Sequence, residues 1–318
     1  MKKEEIVQDL KIKIEDFIKD NQNWIIILRW PTASGKSSIS VQIAKLLKNI
    51  EIISADSRQV YKYMDIWTDK IDLSTRNEIN HYQIDLVNPD QIYTLWNWKE
   101  STLNLINEIQ LKSNIPMIVG WTWLYIDSIY KNFSVPEVAP DYDLRDKLQK
   151  KEDKSPWFLH KKLFSIDTDS AKNLHPNSNR HIIRALEIYE KTWKTKSELW
   201  KERKTDFPIL FVWLWPWKEK TNYLIDLRVE NMFKKWLLEE VSNLLNMWYN
   251  KNLLSMKGIW YKEVIEYLEG NISLDDSIDW VKRATHQYAK RQRTWFRRYV
   301  NDKKTNPKKD VFYLNYIL

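Results

Sequence analysis

The stretch WIIILRWPTASGKSSISVQIAKLL, residues 24–47, decides how the chain folds. Residues 24–28 form a short, clean apolar run, as a buried strand requires. Gly35, Lys36 and Ser37 complete a GxxxxGK[ST] pattern in which Trp30 stands where the first glycine belongs, and residues 37–47 read as a helix. In that order, strand, loop and helix wrap successive backbone N–H groups round a phosphate at a helix N-terminus. Lys36 adds a point charge, and the Ser37 hydroxyl can reach a magnesium ion. Such a cradle leaves a kinase, a nucleotidase and other diphosphate users open.

Working outward, residues 50–54 read as a second strand ending at Ala55-Asp56, residues 82–87 as a third, residues 115–119 as a fourth and residues 209–214 as a fifth. Helices at residues 37–47 and 95–111 lie between them, a rhythm that predicts a parallel sheet with its crevice beyond the carboxyl ends of the strands. Asp56 and Gly120-Trp121-Thr122 fall at such ends. Between residues 131 and 206 the strand signal vanishes, and Pro136, Pro140, Pro156 and Pro176 punctuate short helices. Helices then follow at 223–236, 237–248, 261–268 and 274–299. The expected fold is α/β: a P-loop NTPase-like parallel sheet with helices on both faces, an all-helical insertion and a helical C-terminal region. Its divisions are an N-terminal helix 1–20, core 21–130, insertion 131–206, second core part 207–300 and tail 301–318.

The 318 residues carry 51 Lys and Arg against 43 Asp and Glu, a net charge of +8 that favours a polyanionic partner. No cysteine occurs, which excludes disulfides, thiolate zinc sites and a cysteine nucleophile. The longest apolar run is far too short to span a bilayer, and the N-terminal residues mix both charge signs. A cytoplasmic, membrane-free protein is expected.

Four further stretches narrow the chemistry: ISADSRQVYKYMDIWTDK (53–70), GWTWLYID (120–127), NRHIIRALEIYEKTWKTKSE (179–198) and YAKRQRTWFRR (288–298). With the cradle, in this order and spacing, the chain resembles the tRNA dimethylallyltransferase family from about residue 25 to residue 298. The resemblance implies transfer of a dimethylallyl group from dimethylallyl diphosphate to the exocyclic N6 amine of the adenine 3′ to the anticodon, with release of diphosphate. It places the donor diphosphate on Trp30, Thr32, Ala33, Ser34, Gly35, Lys36 and Ser37, with magnesium at Ser37. Asp56 would accept the amine proton, Thr32 would donate to the bridging oxygen, and Arg228 would contact the diphosphate. The tRNA anticodon stem-loop would meet Asp56, Ser57, Arg58, Gln59, Thr122, Arg180, Arg184, Lys257, Lys262, Arg291 and Arg297, with Arg293 and Arg298 on the same basic rim.

From local sequence alone Asp56 also suits a helix N-cap before SRQVY, and a basic helix suits a solvated face. His81 and His181 receive no role. One cradle and one base suffice in a monomer. A prenyltransferase of free adenine nucleotides, a small-molecule kinase and a catalytically inactive tRNA-binding relative are the competing readings.

Composition adds one anomaly. The chain has 4 glycines and 18 tryptophans, where average usage of about 7% would give roughly 22 glycines. Against the family pattern, Trp30, Trp67, Trp121, Trp123, Trp193, Trp213, Trp236, Trp248 and Trp260 occupy usual glycine positions, and Trp96 a glycine or alanine position. Trp295 stands where the family has tryptophan, while Trp24, Trp98, Trp157, Trp200, Trp215, Trp217 and Trp280 are undecided. Trp193 and Trp248 look like helix C′ sites, where a left-handed backbone suits glycine. The expectation is a source that reads UGA as glycine.

Overall fold

The computed structural model describes residues 3–29, 36–216, 218–258, 260–300 and 309–316. It divides into two compact units: Met1–Tyr93 with Ser101–Ile126 and Asp206–Leu318, and Thr94–Glu100 with Asp127–Thr205.

The first unit is built on six strands: β1 (Ile25–Arg29), β2 (Ile50–Ala55), β3 (His81–Tyr82), β4 (Ile115–Gly120), β5 (Ile209–Pro216) and β6 (Lys309–Tyr316). They lie in the order β3-β2-β4-β1-β5-β6, and every neighbouring pair is parallel. Every residue of β1, β2 and β4 is buried, the pattern of strands covered on both faces. One cover is the helix Lys3–Asp20, whose Ile6, Leu10, Ile14 and Phe17 recur at helical spacing and pack with Ile39 and Ile43 of the helix Lys36–Leu47. Trp24 closes that core edge-on against Phe17, ring centres 5.9 Å apart.

A second core of the same unit joins the helices Lys218–Lys234, Leu237–Asn246, Tyr261–Leu268 and Leu274–Val300 to the segment from Val60 to Trp67. Glu240 fastens that segment: its carboxylate accepts the backbone N–H groups of Asp65 and Ile66 at 2.6 and 2.7 Å, and the Tyr261 hydroxyl at 2.7 Å.

The second unit is all-helical and has its own core of Leu148, Leu159, Leu163, Ile182 and Leu186, with helices Tyr142–Lys154, Phe158–Ile166 and Asn179–Thr192. At its centre the fully buried Glu187 accepts both arms of Arg145 at 2.8 and 2.7 Å, the Asp141 backbone N–H at 2.7 Å, and Arg184. Burial alone would raise the Glu187 carboxyl, but these donors outweigh it and hold it below the usual carboxylate range.

Two departures from expectation have local causes. The strand expected at 82–87 is only two residues long, because Gln83 and Asp85 take φ of 64° and 56°. The turn aims the Asp85 carboxylate at Lys70 (2.5 Å) and Arg76 (2.7 Å). Residues 309–316, expected as part of a tail, form β6 and pair with all eight residues of β5. The alternation Val311, Phe312, Tyr313, Leu314 is rich in strand formers, and an unpaired β5 edge is what it covers.

Candidate active site

The site begins where β2 and β4 end. Ala55 pairs with Gly120 across the ladder, and a Cβ on Gly120 would run into the Ala55 backbone, so only glycine permits this approach. Beyond the strands the two segments stay knitted. The Thr122 N–H donates to the Ala55 carbonyl at 3.0 Å, and the Ser57 N–H donates to the Thr122 hydroxyl oxygen at 2.9 Å.

Asp56 sits at this junction, 4% exposed. Its Oδ1 accepts the Arg58 backbone N–H at 2.8 Å, an Asx turn that fixes the carboxylate. No helix follows, so the capping alternative does not hold; residues 57–60 form a turn. Oδ2 points the other way and accepts the indole N–H of Trp121.

Gln59 braces the turn. Its amide oxygen accepts the Ser54 hydroxyl at 2.7 Å and its amide nitrogen donates to the Thr68 carbonyl at 3.0 Å. Arg58 reaches outward, donating to the Leu254 carbonyl at 2.9 Å with its guanidinium 5.7 Å from the Trp67 ring. Sequence reasoning did not single out Tyr288, on the helix Leu274–Val300. Its ring meets Trp121 edge-on at 4.7 Å, and the Arg291 guanidinium lies 5.8 Å from it. Burial, and then the negative charge of Asp56, push the Tyr288 phenol well up. The signal was its place at the head of YAKRQRTWFRR. Trp123, Tyr288, Lys290, Arg291 and Thr294 line a cleft of about 610 Å³.

Arg228, on the helix Lys218–Lys234, donates weakly to the Trp67 carbonyl (3.4 Å), lies 3.8 Å from Asp69 and stands over the Trp260 ring at 5.6 Å. Its Nε is buried with no acceptor among the described residues. Lys257 and Lys262 are exposed on either side of Trp260. In the second unit, Arg180 is exposed, whereas Arg184 is tied to Glu187 and donates to the Val138 carbonyl at 2.9 Å. Trp30, Thr32, Ala33, Ser34 and Gly35, and the side chains of Lys36, Ser37, Arg293, Arg297 and Arg298, lie outside the described residues.

An IPP transferase family model matches residues 59–299, most of the chain and all the elements just described beyond Arg58. The chain belongs to the IPP transferase family. Among relatives of this IPP transferase, the tRNA dimethylallyltransferase of Pelotomaculum thermopropionicum is 41% identical over 277 residues, 86% of this chain and 88% of that protein. That of Acetivibrio thermocellus is 39% identical over 281 residues, 87% and 90% of the two chains. Among solved structures, the tRNA isopentenylpyrophosphate transferase of Bacillus halodurans superposes with a TM-score of 0.64 at 32% identity, covering 92% of this chain and 90% of its own. A eukaryotic dimethylallyltransferase acting on tRNA superposes with a TM-score of 0.76 at 31% identity, covering 92% and 73%. The IPP transferase fold thus extends beyond the matched span to nearly the whole chain.

Proposed function

We propose that this IPP transferase moves a dimethylallyl group from dimethylallyl diphosphate to the N6 amine of the adenine 3′ to the anticodon of tRNA. One observation carries the reading: a buried carboxylate, Asp56, fixed through Oδ1 and presenting Oδ2, at paired strand ends in a member of this family.

The reaction forms an N6–C1 bond and breaks the C1–O bond to diphosphate. The amine proton goes to Asp56 Oδ2 as general base. Charge gathers on the departing diphosphate, which backbone N–H groups at the start of the helix Lys36–Leu47 would meet, with Lys36 as the cation that the family resemblance implies. The partnerless Nε of Arg228 supports its role toward an anion. The adenine must leave its stack to reach Asp56, as in other enzymes that act on a base. Arg58, Gln59, Thr122 and the basic residues of the helix Leu274–Val300 are the proposed tRNA contacts.

Among the described residues no three His, Asp or Glu side chains cluster as a metal site. Magnesium commonly keeps several waters and takes phosphate oxygens as ligands, so it needs few protein ligands. Ser37 would hold it, and its chemistry would be neutralisation of the diphosphate. No helix among the described residues is long and apolar enough to cross a membrane; a cytoplasmic site of action and a monomeric enzyme belong to the same proposal.

The test is transfer from dimethylallyl diphosphate to tRNA, read by nucleoside mass spectrometry, in the chain with glycine at 30, 121 and 123. Asp56→Asn should cut turnover by about two or more orders of magnitude with tRNA binding nearly intact. Equal loss of binding and turnover would make Asp56 a structural residue.

A further inference from the structure

Thirteen non-glycine residues among those described have φ between 47° and 95°, and five are tryptophan: Trp157, Trp193, Trp236, Trp248 and Trp260. Spread evenly over the chain, 18 tryptophans in 318 residues would supply fewer than one. Most of the other eight are short or polar types such as Asn, Asp and Ser, which tolerate this region, whereas a bulky residue there is an outlier.

Each of the five stands at a helix boundary. Trp193 takes the left-handed residue after the helix Asn179–Thr192, its N–H on the Tyr189 carbonyl at 2.8 Å. After the helix Leu237–Asn246, Trp248 donates to Leu245 at 3.0 Å and Tyr249 to Leu244 at 3.2 Å, the two bonds of a Schellman motif with Trp248 at the glycine position. Trp157 and Trp236 hold left-handed N-cap positions without a capping side chain. Trp260, at φ 95° and ψ −46°, lies outside the left-handed helical well altogether. Nor do most of these indoles gain burial in exchange: Trp248 is 94% exposed and Trp193 79%. Trp24 and Trp98 behave otherwise, buried with ordinary backbones.

We propose that residues 157, 193, 236, 248 and 260 are glycine in the protein its own cells make, encoded by UGA.

The test is peptide mass spectrometry on protein from the source cells, reading residue 157 in the tryptic peptide 155–161 beside Trp24 and Trp98. Glycine at 157 with tryptophan at 24 and 98 is expected. Tryptophan at 157, or UGG codons at these five positions, would overturn the assignment.

Discussion

Asp56 takes the Arg58 N–H on one oxygen and the Trp121 indole N–H on the other, and its setting depends on neighbours from a distant strand end. Thr122→Val removes the acceptor of the Ser57 N–H. A stability loss of about 1–2 kcal/mol is expected from the orphaned donor, with a larger fall in turnover than in tRNA binding. An unchanged urea midpoint would show that Ser57 finds another partner. At the left-handed positions the sign reverses. Trp248→Gly should stabilise by about 1 kcal/mol, since it relieves strain and forfeits no burial, while Trp98→Gly should lose about 3–5 kcal/mol by opening the core. Matched urea titrations check both, and a destabilised Trp248→Gly would mean that the indole packs usefully.

At the scale of elements, β1, β2, β4 and β5 could be read as short apolar runs and most long helices from apolar period, because each carries its burial in its own sequence. β6 and the shortness of β3 could not. The first depends on a partner edge more than ninety residues earlier in the chain, and the second on two left-handed residues that serve a salt bridge. Asp56 and Thr122 were legible because each falls at a strand end, and Arg58 and Gln59 only through the family resemblance; Tyr288 was not, since a helical aromatic reads equally well as core. Arg184 looked like a phosphate contact for want of any signal that Glu187 lies one turn away, buried. The Glu187 cluster makes its own prediction. Because its folded carboxyl titrates below the usual glutamate range, its contribution is present above that range and lost as pH falls through the lowered folded value. Glu187→Gln should therefore lose about 2 kcal/mol at neutral pH and show a flatter acid limb in a pH series of thermal melts. Parallel acid limbs would assign the pH dependence to other carboxylates.

Over the whole molecule, a net charge of +8 sets long-range attraction for a polyanion, and local cations set register on it. Arg291, exposed beside Tyr288 and the 610 Å³ cleft, is placed for such a contact. Arg291→Ala should weaken tRNA binding and lower the slope of log K against log salt by about 1, with donor affinity unchanged; an unaltered slope would remove it from the interface. The Ser57–Thr122 bond joins residues 65 apart and the Arg58–Leu254 bond joins residues 196 apart. A chain emerging from the ribosome therefore has a carboxylate but no site until its second strand end is made, and no anchored Arg58 until residue 254 is out. A product truncated before residue 254 would therefore carry the carboxylate without the anchor that holds Arg58.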